Sequence, residues 1–206
     1  MKVLLINGSP HAKGCTFTAL SEIAETLNSN GIETEIFQVG TKPVSGCIGC
    51  YKCRETGKCV INDNVNILVE KLHEYDGFVF GSPVHFAAAS GALTSFLDRL
   101  FYSGGRKMAY KPGAAIVSCR RAGSTAALDQ LNKYFTISNM PIVSSQYWNM
   151  VHGFTPDDVR QDLEGMQTMR VIGNNMAWLL RSIEAGQKAG ISLPKNEQKI
   201  MTNFIR

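Results

Sequence analysis

The chain has 206 residues, 44% of them hydrophobic and 18% charged, with 19 glycines and 7 prolines. That length buries a full core without staples, and the composition excludes a disordered or collagen-like chain. A formal charge of +4 without a basic run argues against a nucleic-acid partner.

Met1-Lys2 leads into a short apolar run ending at Asn7-Gly8-Ser9-Pro10, too short for a signal peptide. No apolar stretch approaches the ~20 residues of a membrane helix. The expectation is a cytoplasmic protein without a membrane partner, in a reducing compartment where clustered cysteines serve metals or catalysis more often than disulfides.

Val3-Leu4-Leu5-Ile6 reads as a first strand buried on both faces. Phe17, Leu20, Ile23, Ala24 and Leu27 recur at helical spacing, and Asn30-Gly31 ends that helix. Glu33 to Val39 alternates as a second strand. Residues 40–64 form an irregular, cysteine-rich insertion, too long for a plain connection. Val65, Leu68 and Leu72 predict a helix, and Gly77 to Phe80 a third strand closed by a turn at Gly81-Ser82-Pro83. Leu93, Phe96, Leu97 and Leu100 mark the next helix, with Asp98 and Arg99 as a local ion pair of structural character. Ala114 to Val117 is a fourth strand, followed by a loop from Ser118 to Gly123. Leu128, Leu131 and Phe135 give a helix, and Pro141-Ile142-Val143 the last strand. A C-terminal helical segment spans about 164–190 and packs through Met166, Met169, Ile172, Met176, Leu179 and Leu180. Five strands with helical crossovers predict one α/β domain over residues 1–206, a doubly wound five-stranded parallel sheet in three layers.

In such a sheet ligands bind beyond the carboxyl ends of the strands, at the switch point. The first turn, Asn7 to Thr16, offers the Ser9 and Thr16 hydroxyls, the curl of Gly8 and Gly14, and the N–H groups of a helix start. These make an anion site, or else an ordinary strand-to-helix turn with Thr16 as its N-cap. The turn is neither a dinucleotide fingerprint nor a P-loop. Gly81-Ser82-Pro83-Val84-His85-Phe86 and Ser118-Cys119-Arg120-Arg121-Ala122-Gly123-Ser124 lie at the same edge, as walls of a shared pocket.

Gly8-Ser9-Pro10 with Gly14 and Thr16, then Gly81-Ser82-Pro83-Val84, then Leu97-Asp98-Arg99, resemble the flavodoxin-like NAD(P)H-dependent FMN reductases over nearly the whole chain. The resemblance implies a flavodoxin-like fold, FMN as cofactor and NAD(P)H as co-substrate. It implies Ser9, His11, Lys13, Cys15, Thr16 and Phe17 around phosphate and ribityl, Pro83, Val84, His85 and Phe86 along the flavin, and Ser118, Arg121 and Gly123 on the third loop. His11, Cys15 and His85 stand where the family often has Arg, Asn and Tyr. A phosphate contact from His11 needs its charged form and is therefore pH-dependent. His85 either donates to a flavin carbonyl or sits on the rim.

Cys47, Cys50, Cys53 and Cys59 read C-x2-C-x2-C-x5-C, and Gly46, Gly49 and Gly57 free the backbone to wrap a soft centre. The last interval is longer than in bacterial ferredoxins, and paired zinc knuckles are spaced differently. The spacing resembles that of iron–sulfur flavoproteins, which implies a [4Fe–4S] cluster on these four cysteines. Vacant or disulfide-linked thiols and a structural zinc are the alternatives. Cys15 and Cys119 are isolated and read as packing residues.

Trp148, Asn149, His152 and Gly153 form an aromatic-polar patch that packs locally or caps the flavin of a neighbouring subunit. The resemblance implies a homodimer or homotetramer. No Ser-His-Asp or metal-carboxylate constellation is present, and flavin chemistry requires none. The expected function is an oxidoreductase passing electrons from NAD(P)H to a small-molecule acceptor (a flavin, quinone, nitro or azo compound) or through the cluster. The alternatives are an electron carrier for protein partners and a flavin-free metal-binding module.

Overall fold

Val3 to Asn7 are completely buried because helices cover both faces of the strand they form. The structure is a computed structural model describing residues 1–198, 200–202 and 204. In chain order it contains β1 (Lys2–Asn7), α1 (Cys15–Ser29), β2 (Glu33–Gln38), the single turn α2 (Cys53–Thr56), α3 (Asn64–Lys71), β3 (Gly77–His85) and β4 (Ala88–Ala89). It continues with α4 (Gly91–Gly104), β5 (Gly113–Cys119), α5 (Ser124–Thr136), β6 (Met150–His152), α6 (Pro156–Gln161) and α7 (Leu163–Lys188).

The sheet order is β2-β1-β3-β5-β6, all parallel, with β4 antiparallel on the end of β3. The direction of strand addition reverses between β1 and β3, which is the switch point. Alternate residues of each central strand serve opposite layers. Leu4, Ile6, Phe78, Phe80, Ala115 and Val117 face α3, α4 and α5. Val3, Leu5, Val79, Ala114 and Ile116 face α1, α6 and α7. The three-layer, doubly wound α/β arrangement is therefore as the alternation of apolar runs predicts.

Two expectations need correction. Gly81-Ser82-Pro83 is not a turn, because β3 runs on to His85. The Gly8 N–H donates to the Gly81 carbonyl, so Pro83, two residues on, points the same way, past the end of β1. Its missing N–H therefore leaves no ladder bond unmade. Pro141-Ile142-Val143 makes only an isolated bridge, Ile142 to Gly113, and the fifth parallel strand is Met150–His152. Between the two, the Asn149 side chain donates to the Ala115 carbonyl at 3.1 Å, taking the place of a strand neighbour.

The aromatic packing behind β3 sets the position of its carboxyl end. Phe80 stacks on Phe135 with ring centroids 4.8 Å apart and lies edge-on to Phe101. Phe135 is fully buried. Replacing Phe135 with Ala is expected to lower the unfolding free energy by about 3–5 kcal/mol in guanidinium titrations. A loss below about 1 kcal/mol would contradict this packing.

Candidate functional site

The carboxyl ends of β1, β3 and β5 meet at one edge, and a buried polar network fixes the first loop there. Asn7 Nδ2 donates to Gln38 Oε1 at 2.6 Å, Gln38 Nε2 donates to the Ser9 carbonyl at 2.6 Å, and the Ser9 N–H donates to Asn7 Oδ1 at 3.1 Å. Asn7 thus couples β2 to the loop. Ser90, which caps α4, donates its hydroxyl to the Gly8 carbonyl and receives an N–H bond from Leu93, while its own N–H goes to Ser82 Oγ. Gly8 is required here, since a Cβ would stand 2.7 Å from Leu93 Cβ.

Thr16 is not the N-cap of α1. Gly14 holds that position, no side chain caps the helix, and its first turn holds no acidic residue. The Thr16 hydroxyl instead bonds Ser118 Oγ at 2.8 Å, tying the first loop to the end of β5 in a buried contact. The helix start consequently presents free N–H groups and a positive dipole end to the groove. Exposed His11 and Lys13 flank it, with Cys15 and Phe17 half-buried. Phe154, Thr155 and Pro156 form the opposite wall of the groove. Sequence reasoning missed this wall, which belongs to a capping box whose Asp158 accepts the N–H groups of Phe154 and Thr155. Burial pushes the Cys15 and Cys119 thiols up from their ordinary range.

The second loop is a tight hairpin. Val84 pairs with Ala89 and His85 with Ala88, leaving Phe86 and Ala87 as a two-residue turn with φ of 50° and 59°. Both residues are left-handed, a conformation that Asn-Gly favours and Phe and Ala resist. The Phe86 ring is fully exposed at the tip. The third loop packs on this hairpin at Gly123, whose φ is 87° and where a Cβ would lie 2.7 Å from Ala87 Cα. Pro83 and Val84 are half-buried beside it, and His85 and Arg121 are exposed. Ser118 belongs to β5 rather than to the loop. In the remaining patch Trp148 and His152 are exposed, with the His152 N–H bound to Asp162 Oδ2 at 2.7 Å, and Asn149 is buried.

Cys47, Cys50, Cys53 and Cys59 line one pocket together with Ile48, Val60, Ile61, Arg99 and Tyr102. All four thiols are free. Burial pushes the Cys53 thiol up, and the other three cysteines act in the same direction. Among the described residues no group of three or more His, Cys, Asp or Glu is drawn together to hold a single metal ion. Four soft sulfur donors around a largely apolar cavity would suit an iron–sulfur cluster or a zinc ion.

Asp98 and Arg99 do not pair with each other. Adjacent helix positions point to different faces, so Asp98 accepts from Tyr134 Oη at 2.5 Å while Arg99 turns into the cysteine loop. There it meets Asp63, with Nη1 and Nη2 at 2.6 and 2.7 Å from the two carboxylate oxygens. Burial works against the charged Asp63, but Arg99 and the Val65 N–H outweigh it and hold the carboxyl below its ordinary range.

The family model described as NADPH-dependent FMN reductase matches residues 1–155. The chain belongs to that family. It is an oxidoreductase. An iron–sulfur flavoprotein of Methanocaldococcus jannaschii is 33% identical over 192 residues, 89% of this chain and 100% of the relative. One from Methanosarcina thermophila is 25% identical over 188 residues, covering 89% and 97% of the two chains. Among solved structures, RosB with a bound riboflavin-phosphate intermediate superposes with a TM-score of 0.71 at 15% identity, over 99% of this chain and 92% of its own. An archaeal flavodoxin gives 0.60 at 14% identity, over 88% and 99%. The fold is flavodoxin-like.

The strained hairpin yields a direct expectation. Replacing Phe86-Ala87 with Asn-Gly should raise the unfolding free energy by about 1 kcal/mol through relief of the left-handed strain. A destabilised variant would contradict the turn geometry.

Proposed function

We propose that the chain binds FMN across the carboxyl ends of β1, β3 and β5 and oxidises NADH or NADPH. The electrons pass to a small acceptor such as a free flavin, quinone, nitro or azo compound, directly or through a [4Fe–4S] cluster on Cys47, Cys50, Cys53 and Cys59. The uncapped start of α1 at the switch point carries this reading, because its N–H groups, the Ser9 hydroxyl and the Lys13 and His11 side chains suit a phosphate monoester. Cys15, Thr16 and Phe17 supply the N–H groups at that helix start, while the Thr16–Ser118 hydroxyl pair seals the floor. Pro83, Val84 and His85 form a wall for a flat ring, and Gly123 lets Arg121 approach it from the third loop. Phe86 is free to cover a nicotinamide or an aromatic acceptor. FMN supplies hydride acceptance and one-electron release, and the cluster supplies one-electron storage.

One helix connects the two centres. Ser90 holds the first loop and Arg99 the cysteine loop, about 14 Å apart along α4 at 1.5 Å per residue. Gly46, on the cysteine loop, faces Ser95 between them. The exposed Tyr147, Trp148 and Phe154 support a homodimer or homotetramer in which a neighbour covers the flavin.

Two variants test the assignment. Ser9→Ala with Thr16→Ala should weaken FMN at least about tenfold, the loss expected for one hydrogen bond to a charged group, measured by fluorescence titration of the apoprotein. A doubly substituted protein whose FMN dissociation constant equals the parent's contradicts the phosphate site. Cys50→Ser should abolish iron in protein purified without oxygen while leaving FMN bound. Equal iron in variant and parent would exclude Cys50 as a ligand.

A further inference from the structure

Arg99 is 1% exposed, and all five of its N–H groups find acceptors. Two go to the Asp63 carboxylate. Nη1 reaches the Ser45 carbonyl at 3.4 Å, Nη2 the Ile61 carbonyl at 2.9 Å, and Nε lies 3.2 Å from Cys59 Sγ. A buried guanidinium is costly unless every donor is met, so this one is held in a single orientation. The Asp63 fork fixes its plane, and Nε–H can then point only at the sulfur. Lysine, with a point charge and no fork, cannot satisfy the carboxylate and aim at Cys59 together.

Cys59 is also fixed through its backbone. Its N–H donates to Asn66 Oδ1 at 2.8 Å, and its carbonyl accepts from Asn66 Nδ2 at 2.9 Å. The other cysteines are held less. Cys47 and Cys50 are exposed, and Cys53 donates to the Tyr102 carbonyl at 3.4 Å. The four sulfurs are therefore unequal, with Cys59 the one placed before any centre binds.

We propose that Arg99 is a positioning residue for the sulfur centre, fixing Cys59 as a ligand and raising the reduction potential of the cluster through the Nε–H···Sγ bond. The inference rests on the cluster reading above. Hydrogen bonds and cations near cluster sulfurs favour the more negative, reduced state. Arg99 remains protonated throughout, so it contributes charge and a donor without moving a proton.

The test uses the full-length protein purified anaerobically, with iron and sulfide assays first. Parent protein without iron would overturn the cluster reading and this inference with it. With iron present, selective 15N-arginine labelling and pulsed EPR of the reduced cluster should reveal an arginine nitrogen coupled to it, and absence of that coupling in the parent overturns the proposal. Arg99→Lys should shift the cluster's reduction equilibrium toward the oxidised form about tenfold, or 59 mV for a one-electron couple, while leaving the flavin potential in place. A Lys variant that keeps iron at the parental potential would show that Arg99 merely pins the loop, and would defeat the proposal. Loss of iron from the Lys variant leaves the labelling result on the parent to decide.

Discussion

All the main-ladder strands run parallel, and that single constraint brings every carboxyl end to one edge of the sheet. Each crossover must then enter a helix from that edge, so the starts of α1, α4 and α5 gather where β1 and β3 part. The site follows from this arrangement. Ser90 is hydrogen-bonded to both Gly8 and Ser82 because the ends of β1 and β3 and the start of α4 share a narrow space, and Thr16 meets Ser118 for the same reason. Burial of these groups is tolerable only because each is paired.

The second consequence concerns the insertion. A loop rich in glycine and cysteine has little apolar surface of its own with which to order itself. It is fastened instead by polar contacts to the regular fold: Arg99 from α4 and Asn66 from α3, with Asp63 serving both as the Arg99 partner and as the cap of α3. Ser90 at the start of α4 and Arg99 further along it therefore hold two different loops, whose separation is set by a rigid helix rather than by a flexible tether.

Much of this was legible in the sequence. Continuous apolar runs at Val3–Ile6 and Ala114–Val117 fit strands buried on both faces, and helical spacing located α1, α4, α5 and α7. The positions at strand ends follow from that order alone. The extension of β3 was hidden because Gly, Ser and Pro are turn residues wherever only neighbours in sequence are considered. Its register against β1 and β5 makes them acceptable in a strand. Likewise Asn149 replaces a strand neighbour by a side-chain bond, which no periodicity reports. Arg99 beside Asp98 suggests an ion pair, yet helix geometry separates them and the partner is Asp63, 36 residues away. Left-handed Phe86 and Ala87 carry no signal at all, since neither residue favours that conformation.

In the proposed function one chain joins a flavin at the strand ends to a sulfur centre in the insertion. An anaerobic reductive titration, followed at the flavin and cluster absorption bands, tests it most directly. Uptake of about three electrons per chain is expected, two by FMN and one by a [4Fe–4S] cluster, with both bands responding. Protein that carries FMN and takes up only about two electrons, with no second band, would contradict it.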